Sequence, residues 1–258
     1  MENNLNHYSN VTWRFIPPHT QNAYMNVALE DVCIDAVANG ESAPIIRFYN
    51  WEPSAVIIGY FQQLEAEVNL PACRKDGVDV VRRRTGGGGI YQDVHGGLTY
   101  SVVAPEHFFP REIIPSYQHV ADWIISGLGE LNIPAQFAPI NDIQVGGKKI
   151  SGNAQTRRKG VALIHGTLLF DVDPEKMFTY LRVPDEKIRD KVIASVKERV
   201  IGMKHFGVGT REEGYAALKK AFLRGKDFTE TDLTSDELMR AEELVEEKYS
   251  QPQWIAQR

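Results

Sequence analysis

The chain has 258 residues, 43% of them hydrophobic and 24% charged, with a net charge of -5 and a pI near 5.8. That is a soluble, folded composition with enough length for a sizeable core. The acidic balance argues against general nucleic-acid binding, since phosphate-tracking proteins carry a basic face. No apolar run is long enough for a membrane span, and MENNLNHYSNVTWRF has no apolar leader segment. The expectation is a cytoplasmic protein with reduced thiols, because its two cysteines, Cys33 and Cys73, form neither a CxxC pair nor a disulfide framework.

Residues 1 to 10 are polar and read as loose. Asn22 to Ala38 reads as a helix, with Met25, Leu29, Val32 and Ala36 on one face and Gly40 as its stop. Ile45 to Tyr49, Ala55 to Tyr60, Val78 to Arg83 and Leu98 to Val103 are short β-branched or aromatic runs between turn signals, and read as strands. Pro115 to Leu131 has a helical repeat. Asp142 to Val145 and Lys148 to Ala154 flank Gly146-Gly147, a two-residue hairpin signal. Val161 to Phe170 is a further strand. From Pro174 onward the texture is helical and charged. Pro184 and Asp185 open one helix, and Thr229 to Tyr249 holds the last, capped by Thr234 or Ser235. The fold class is α+β: one central mixed, mostly antiparallel sheet flanked by helices, in a single domain over residues 1–258.

Two segments carry chemistry. Val81 to Asp93 reads VRRRTGGGGIYQD. Four glycines are entropically costly to order, which makes sense where a ligand approaches the backbone or amides point inward as a nest. The segment is neither a P-loop nor a dinucleotide fingerprint; an exposed loop with incidental arginines is the plainer alternative. Gly146 to Ala154 reads GGKKISGNA. Side chains alternate along a strand, so only one of Lys148 and Lys149 can face a cleft. A lysine there is a point charge suited to a carbonyl oxygen or phosphate; a solvated hairpin is the alternative.

Together with His165-Gly166-Thr167-Leu168-Leu169, these segments resemble the lipoate–protein ligase A family of the biotin/lipoate ligase superfamily. The pattern RRxTGGG stands at Arg82 to Gly88, and Asn141-Asp142 precedes the lysine hairpin. The resemblance implies a catalytic domain like that of biotin protein ligase. It also implies a two-step reaction: lipoate and ATP, with Mg2+, give lipoyl-AMP, and a lysine of a lipoyl carrier domain, either a glycine-cleavage H-type protein or a dehydrogenase E2 domain, then takes the acyl group. Lys149 would be the catalytic cation. Arg83, Thr85, Gly86, Gly87, Gly88, Tyr91, Gln92, Asp93, Ser151, Gly152, Ala154, His165, Gly166 and Thr167 would hold substrate. Asn141 and Asp142 would face the phosphates, with Asp142 on the metal.

Two departures stand out. Gln92 occupies the family's histidine position. The chain also resembles the short archaeal-type form without a C-terminal accessory domain, in which that domain is a separate polypeptide needed for adenylation. An octanoyl- or lipoyltransferase of the same superfamily is the rival, since Ala154-Gln155-Thr156-Arg157 with Gly160-Val161 is similar to one octanoyltransferase branch. That branch uses a cysteine just upstream of the lysine hairpin, and Pro134 to Ile140 contains none. A non-catalytic binding module is the remaining reading. Arg157-Arg158-Lys159 is a candidate surface for steering an acidic carrier, with a solvated loop as the alternative.

Overall fold

The computed structural model describes residues 11–183 and 185–258, so the polar N-terminus and Pro184 lie outside the described residues. The strands are β1 (Trp13–Gln21), β2 (Ile45–Trp51), β3 (Ala55–Ile58), β4 (Asp79–Arg82), β5 (Ile90–Gln92), β6 (Gly97–Pro105), β7 (Gln136–Ala138), β8 (Asp142–Val145), β9 (Lys148–Arg158), β10 (Val161–Leu169) and β11 (Phe228–Glu230). The helices are α1 (Ala23–Ala38), α2 (Leu64–Glu67), α3 (Leu70–Asp76), α4 (Ile113–Glu130), α5 (Pro174–Tyr180), α6 (Arg189–Arg199), α7 (Arg211–Phe222), α8 (Ser235–Leu244) and α9 (Pro252–Ile255).

The architecture is α+β, as the pattern predicts. The large sheet runs β11-β1-β2-β6-β10-β9-β8-β7, and a small sheet runs β4-β3-β5. β1 is parallel to both β2 and β11, and β3 is parallel to β4, while every other pairing is antiparallel. The central strands are buried on both faces, and their alternation divides the core. Ile46, Phe48, Tyr100, Val102 and Ile164 pack with α4 and α7, while Ile45, Val103, Val161 and Leu163 pack with α1.

Helix α1 differs from the single-faced helix expected. Thirteen of its residues are buried, Glu30 and Asp31 among them, because α8 covers the side that the sheet leaves open. Asn22 caps it by accepting from the Met25 amide at 2.9 Å, a contact worth about 1 kcal/mol. Thr234 caps α8 through a reciprocal capping box with Glu237. Two strands escape the sequence reading. β1 carries Pro17 and Pro18, which mask its pattern at a register shift. β11 is exposed along its whole length. Cys73 lies buried in α3. Among the described residues no helix is long and apolar enough to cross a membrane.

Candidate active site

A cavity of about 350 Å³ opens between α1, the glycine loop, β9–β10 and the segment from Val172 to Val200. Its walls include Val27, Trp51, Ile57, Met177, Val196 and Val200, an apolar lining that suits an acyl chain.

At the inner end, side chains are buried and mutually bonded. Arg83 Nε donates to Thr85 Oγ1 at 3.0 Å. That leaves the Thr85 hydroxyl hydrogen for His165 Nε2, 2.8 Å away. His165 Nδ1 meets Glu30 Oε1 at 2.5 Å, and the Tyr49 hydroxyl donates to the same oxygen at 2.9 Å. One ring hydrogen, on Nδ1, satisfies this order of donors and acceptors throughout. Behind this floor, Arg47 stacks on the Tyr49 ring at 4.0 Å and donates to Asn26 and to His19.

The three arginines work from inside. Arg83 is 6% exposed; burial lowers its pKa to about 10. Its terminal nitrogens donate to the carbonyls of Ile57 (3.1 Å), Gly86 (2.8 Å) and Gly88 (2.9 Å). With loop carbonyls drawn toward Arg83, the loop backbone at Gly87–Gly89 forms one wall of the cavity. Gly87 takes φ +97°, and a Cβ there would lie 2.9 Å from an Arg83 nitrogen, so only glycine fits. Arg82 donates to the carbonyls of Gly59, Tyr60, Gln62, Trp254 and Ile255. Arg84 pairs with Asp31 of α1.

The outer end is open. Lys149 turns toward the cavity and meets Asp142 at 2.7 Å, with side chains 40% and 28% exposed; Lys148 points away and is solvated. A Cβ at Gly152 would stand 2.7 Å from Lys149 Nζ, so glycine is what lets the lysine lie back over its own strand. The strand is tied to the segment after α6 by the Ile201 amide, which donates to the Lys149 carbonyl at 2.9 Å.

Of the expected residues, Lys149, Arg83, Gly87, Gly88, Tyr91, Gln92, Asn141, Gly152, Ala154, His165, Gly166 and Thr167 line this cavity. Gln92 is bonded through its amide to Thr167. Thr85 is buried beneath His165, and Gly86 lies against Phe61. Ser151 is fully buried outside the cavity wall. Asp93 faces Lys176 and Tyr91 instead. Asp142 is engaged with Lys149, and among the described residues no group of three metal-ligating side chains forms, so the residues present do not build a resident metal site. Neither cysteine lines the cavity: Cys33 sits in the core, where burial pushes its pKa up to about 12, and burial raises Cys73 to about 11. Two of the three cations in the candidate steering cluster have protein partners. Arg157 donates to the Pro110 carbonyl, and Lys159 pairs with Asp35.

Sequence reasoning missed Glu30, Tyr49, Trp51 and Asn153. The one signal for Glu30 was an acidic pair among the apolar residues of a mostly buried helix, a rare placement unless partnered.

A model of the lipoyl protein ligase A/B catalytic domain matches residues 22–223. The octanoyltransferase LipM of Geobacillus kaustophilus is 32% identical, over 94% of this chain and 97% of that protein. The LipM of Symbiobacterium thermophilum is 33% identical, over 94% and 97%. Among solved structures, the bi-partite lipoate protein ligase of Thermoplasma acidophilum superposes with a TM-score of 0.86 at 33% identity, covering 95% of this chain and 96% of that one. A lipoate-protein ligase A bound with ATP gives 0.82 at 31% identity, covering 95% and 98%. From a glycine loop, a lysine hairpin and an acyl-sized cavity that converge, and from these likenesses, the chain belongs to the lipoyl protein ligase A/B catalytic-domain family.

Proposed function

We propose that the chain is an ATP-dependent ligase that joins lipoate, or octanoate, which lacks the dithiolane ring, to a lysine of a lipoyl carrier domain. The observation that carries this reading is a cavity with a cation at its mouth and no thiol on its walls. The acyl carboxylate attacks the α-phosphorus of ATP, pyrophosphate leaves, and the carrier lysine's amine then attacks the acyl carbonyl and expels AMP. Charge builds on phosphate oxygens in the first step and on the carbonyl oxygen in the second. The Lys149 ammonium and the backbone of Gly87–Gly89, which line the cavity, would meet both. The Lys149–Asp142 pair is partly open to water, and an ammonium with three N–H donors can keep that carboxylate while it donates to an anionic ligand. Magnesium would arrive with the nucleotide phosphates, and no step is assigned to it.

The carrier and the accessory polypeptide belong to the same reading. The solved Thermoplasma acidophilum ligase is bi-partite and was described with its E2 lipoyl domain. The chain alone is therefore expected to adenylate weakly, and to transfer from supplied lipoyl-AMP at full rate.

Octanoyl transfer is the second reading, favoured by the LipM relatives over almost their whole length. Pyrophosphate release with lipoate and ATP, with and without an accessory subunit, separates the two. The ligase reading expects ATP-dependent labelling of the carrier. Acyl transfer from octanoyl-carrier protein without ATP, and no pyrophosphate under any condition, would overturn it in favour of the transferase.

A further inference from the structure

We infer that Asn153 is a positioning residue for Lys149, acting through Asn141 and Asp142 as a clamp between the two strands of the lysine hairpin. The inference rests on Lys149 serving the acyl phosphate, as proposed above.

Asn153 is 5% exposed, and its side chain is engaged at both ends. Its Oδ1 accepts from the hydroxyl of Tyr100, a fully buried ring anchored against Phe222 in the core. Its Nδ2 donates to the Asn141 carbonyl at 3.0 Å, which also receives the Asn153 backbone amide at 3.0 Å. In return, Asn141 Nδ2 donates to the Asn153 carbonyl at 2.5 Å. The two asparagines thus bridge reciprocally where the next residue is Asp142, the partner of Lys149.

The ladder is irregular near this end of the hairpin. The β8–β9 register shifts between Ile143 and Gln144, between the Ile143–Ser151 and Gln144–Lys149 pairs and one pair along from Asp142–Gly152. An irregularity of this kind re-aims side chains and loosens the local pairing. Backbone pairing ties Asp142 to Ala138 of β7 as well as to Gly152, and the Asn141–Asn153 bridge is the side-chain contact that adds to it beside the irregularity. Gly166 makes the bridge possible. A Cβ there would fall 2.8 Å from Asn153 Oδ1 and 2.6 Å from the Gly152 carbonyl, in the space through which Tyr100 reaches Asn153. The core is therefore connected to the exposed cation through Tyr100, Asn153, Asn141 and Asp142, the last two joined along the backbone.

The test compares wild type with Asn153→Ala and Tyr100→Phe. Asn153→Ala is expected to lower kcat by about 30- to 100-fold, the size of effect that a displaced reacting group produces, with KM for the acyl acid nearly unchanged. Tyr100→Phe, which keeps the asparagine bridge and loses only its anchor, should show a smaller kcat loss of the same kind. A merely structural role would lower the melting temperature and the active fraction while leaving kcat per active molecule alone. The second readout needs no catalysis: the rate at which acetic anhydride labels Lys149, read by peptide mass spectrometry with Lys148 as internal control. It should rise several-fold in Asn153→Ala, because an amine no longer held against a carboxylate meets the reagent more freely. Unchanged kcat together with unchanged Lys149 labelling would overturn the inference. If Asn153→Ala does not fold, Tyr100→Phe decides by the same two measurements. Wild-type protein inactive in both ligation and transfer would sink the proposed function, and the labelling ratio would still decide the clamp.

Discussion

The cavity's two ends are built on opposite principles. At the floor, Glu30, His165, Thr85, Tyr49 and Arg83 are buried and mutually hydrogen-bonded. At the rim, Lys149 and Asp142 hold one exposed ion pair. A buried polar network is rigid and expensive to break, so the floor fixes the shape of the cavity. A surface pair is weak and easily exchanged, so the rim keeps its charge available. The contrast teaches that strong electrostatics inside a site need not be the electrostatics that act on a ligand.

This contrast can be broken at either end. Lys149→Ala should cut acyl activation by about 100- to 1000-fold while shifting unfolding free energy by no more than about 0.5 kcal/mol, measured by steady-state assay and urea melts. Equal losses in both would erase the distinction. Glu30→Leu should do the reverse. It strands the His165 ring hydrogen and the Tyr49 hydroxyl in the interior, and should cost about 3 kcal/mol of stability, read as a lower urea midpoint. Unaltered stability would mean that the floor is not the rigid end.

The layer behind the floor adds a pH test. Burial, and then the Arg47 charge, lower His19 to about 4, against about 6.5 in an unfolded chain. Between those values the unfolded chain binds a proton that the folded one refuses. The His19 contribution is therefore complete above pH 6.5 and is lost as pH falls toward 4, by roughly 2–3 kcal/mol. His19→Gln should flatten that part of the stability–pH curve, and a curve of unchanged slope would refute the assignment. The smallest effect is expected at Arg157. It lies eight residues along β9 from Lys149, roughly 26 Å of extended strand, with its guanidinium turned onto Pro110. Arg157→Gln should alter the carrier-transfer rate by less than about twofold at low salt. A larger, salt-sensitive drop would restore the steering idea.

The rim was far more legible in the sequence than the floor. A run of glycines and a Gly-Gly-Lys-Lys hairpin are local signals, and their residue types can be read without knowing their neighbours. The floor is assembled from α1, β2, the arginine strand and β10, and nothing in Glu30 or Tyr49 taken alone says that they meet His165. Direction was illegible as well. Three consecutive arginines beside bare backbone suggest an anion grip, yet in the fold each is bonded to protein: Arg82 and Arg83 to carbonyls, Arg84 to Asp31. Strand β1 was hidden for another reason, since Pro17 and Pro18 interrupt the alternation that would have revealed it. The general class was readable because alternating apolar strands and a hairpin turn are short-range patterns.

The attachment of Arg82 to Trp254 and Ile255 spans 172 and 173 positions of chain. Contacts of such separation carry a large loop-closure cost. Until α9 docks, Arg82 at the end of β4 lacks two of its five carbonyl partners. Residues near position 254 thus act as a distant strut for the strand that leads into the glycine loop.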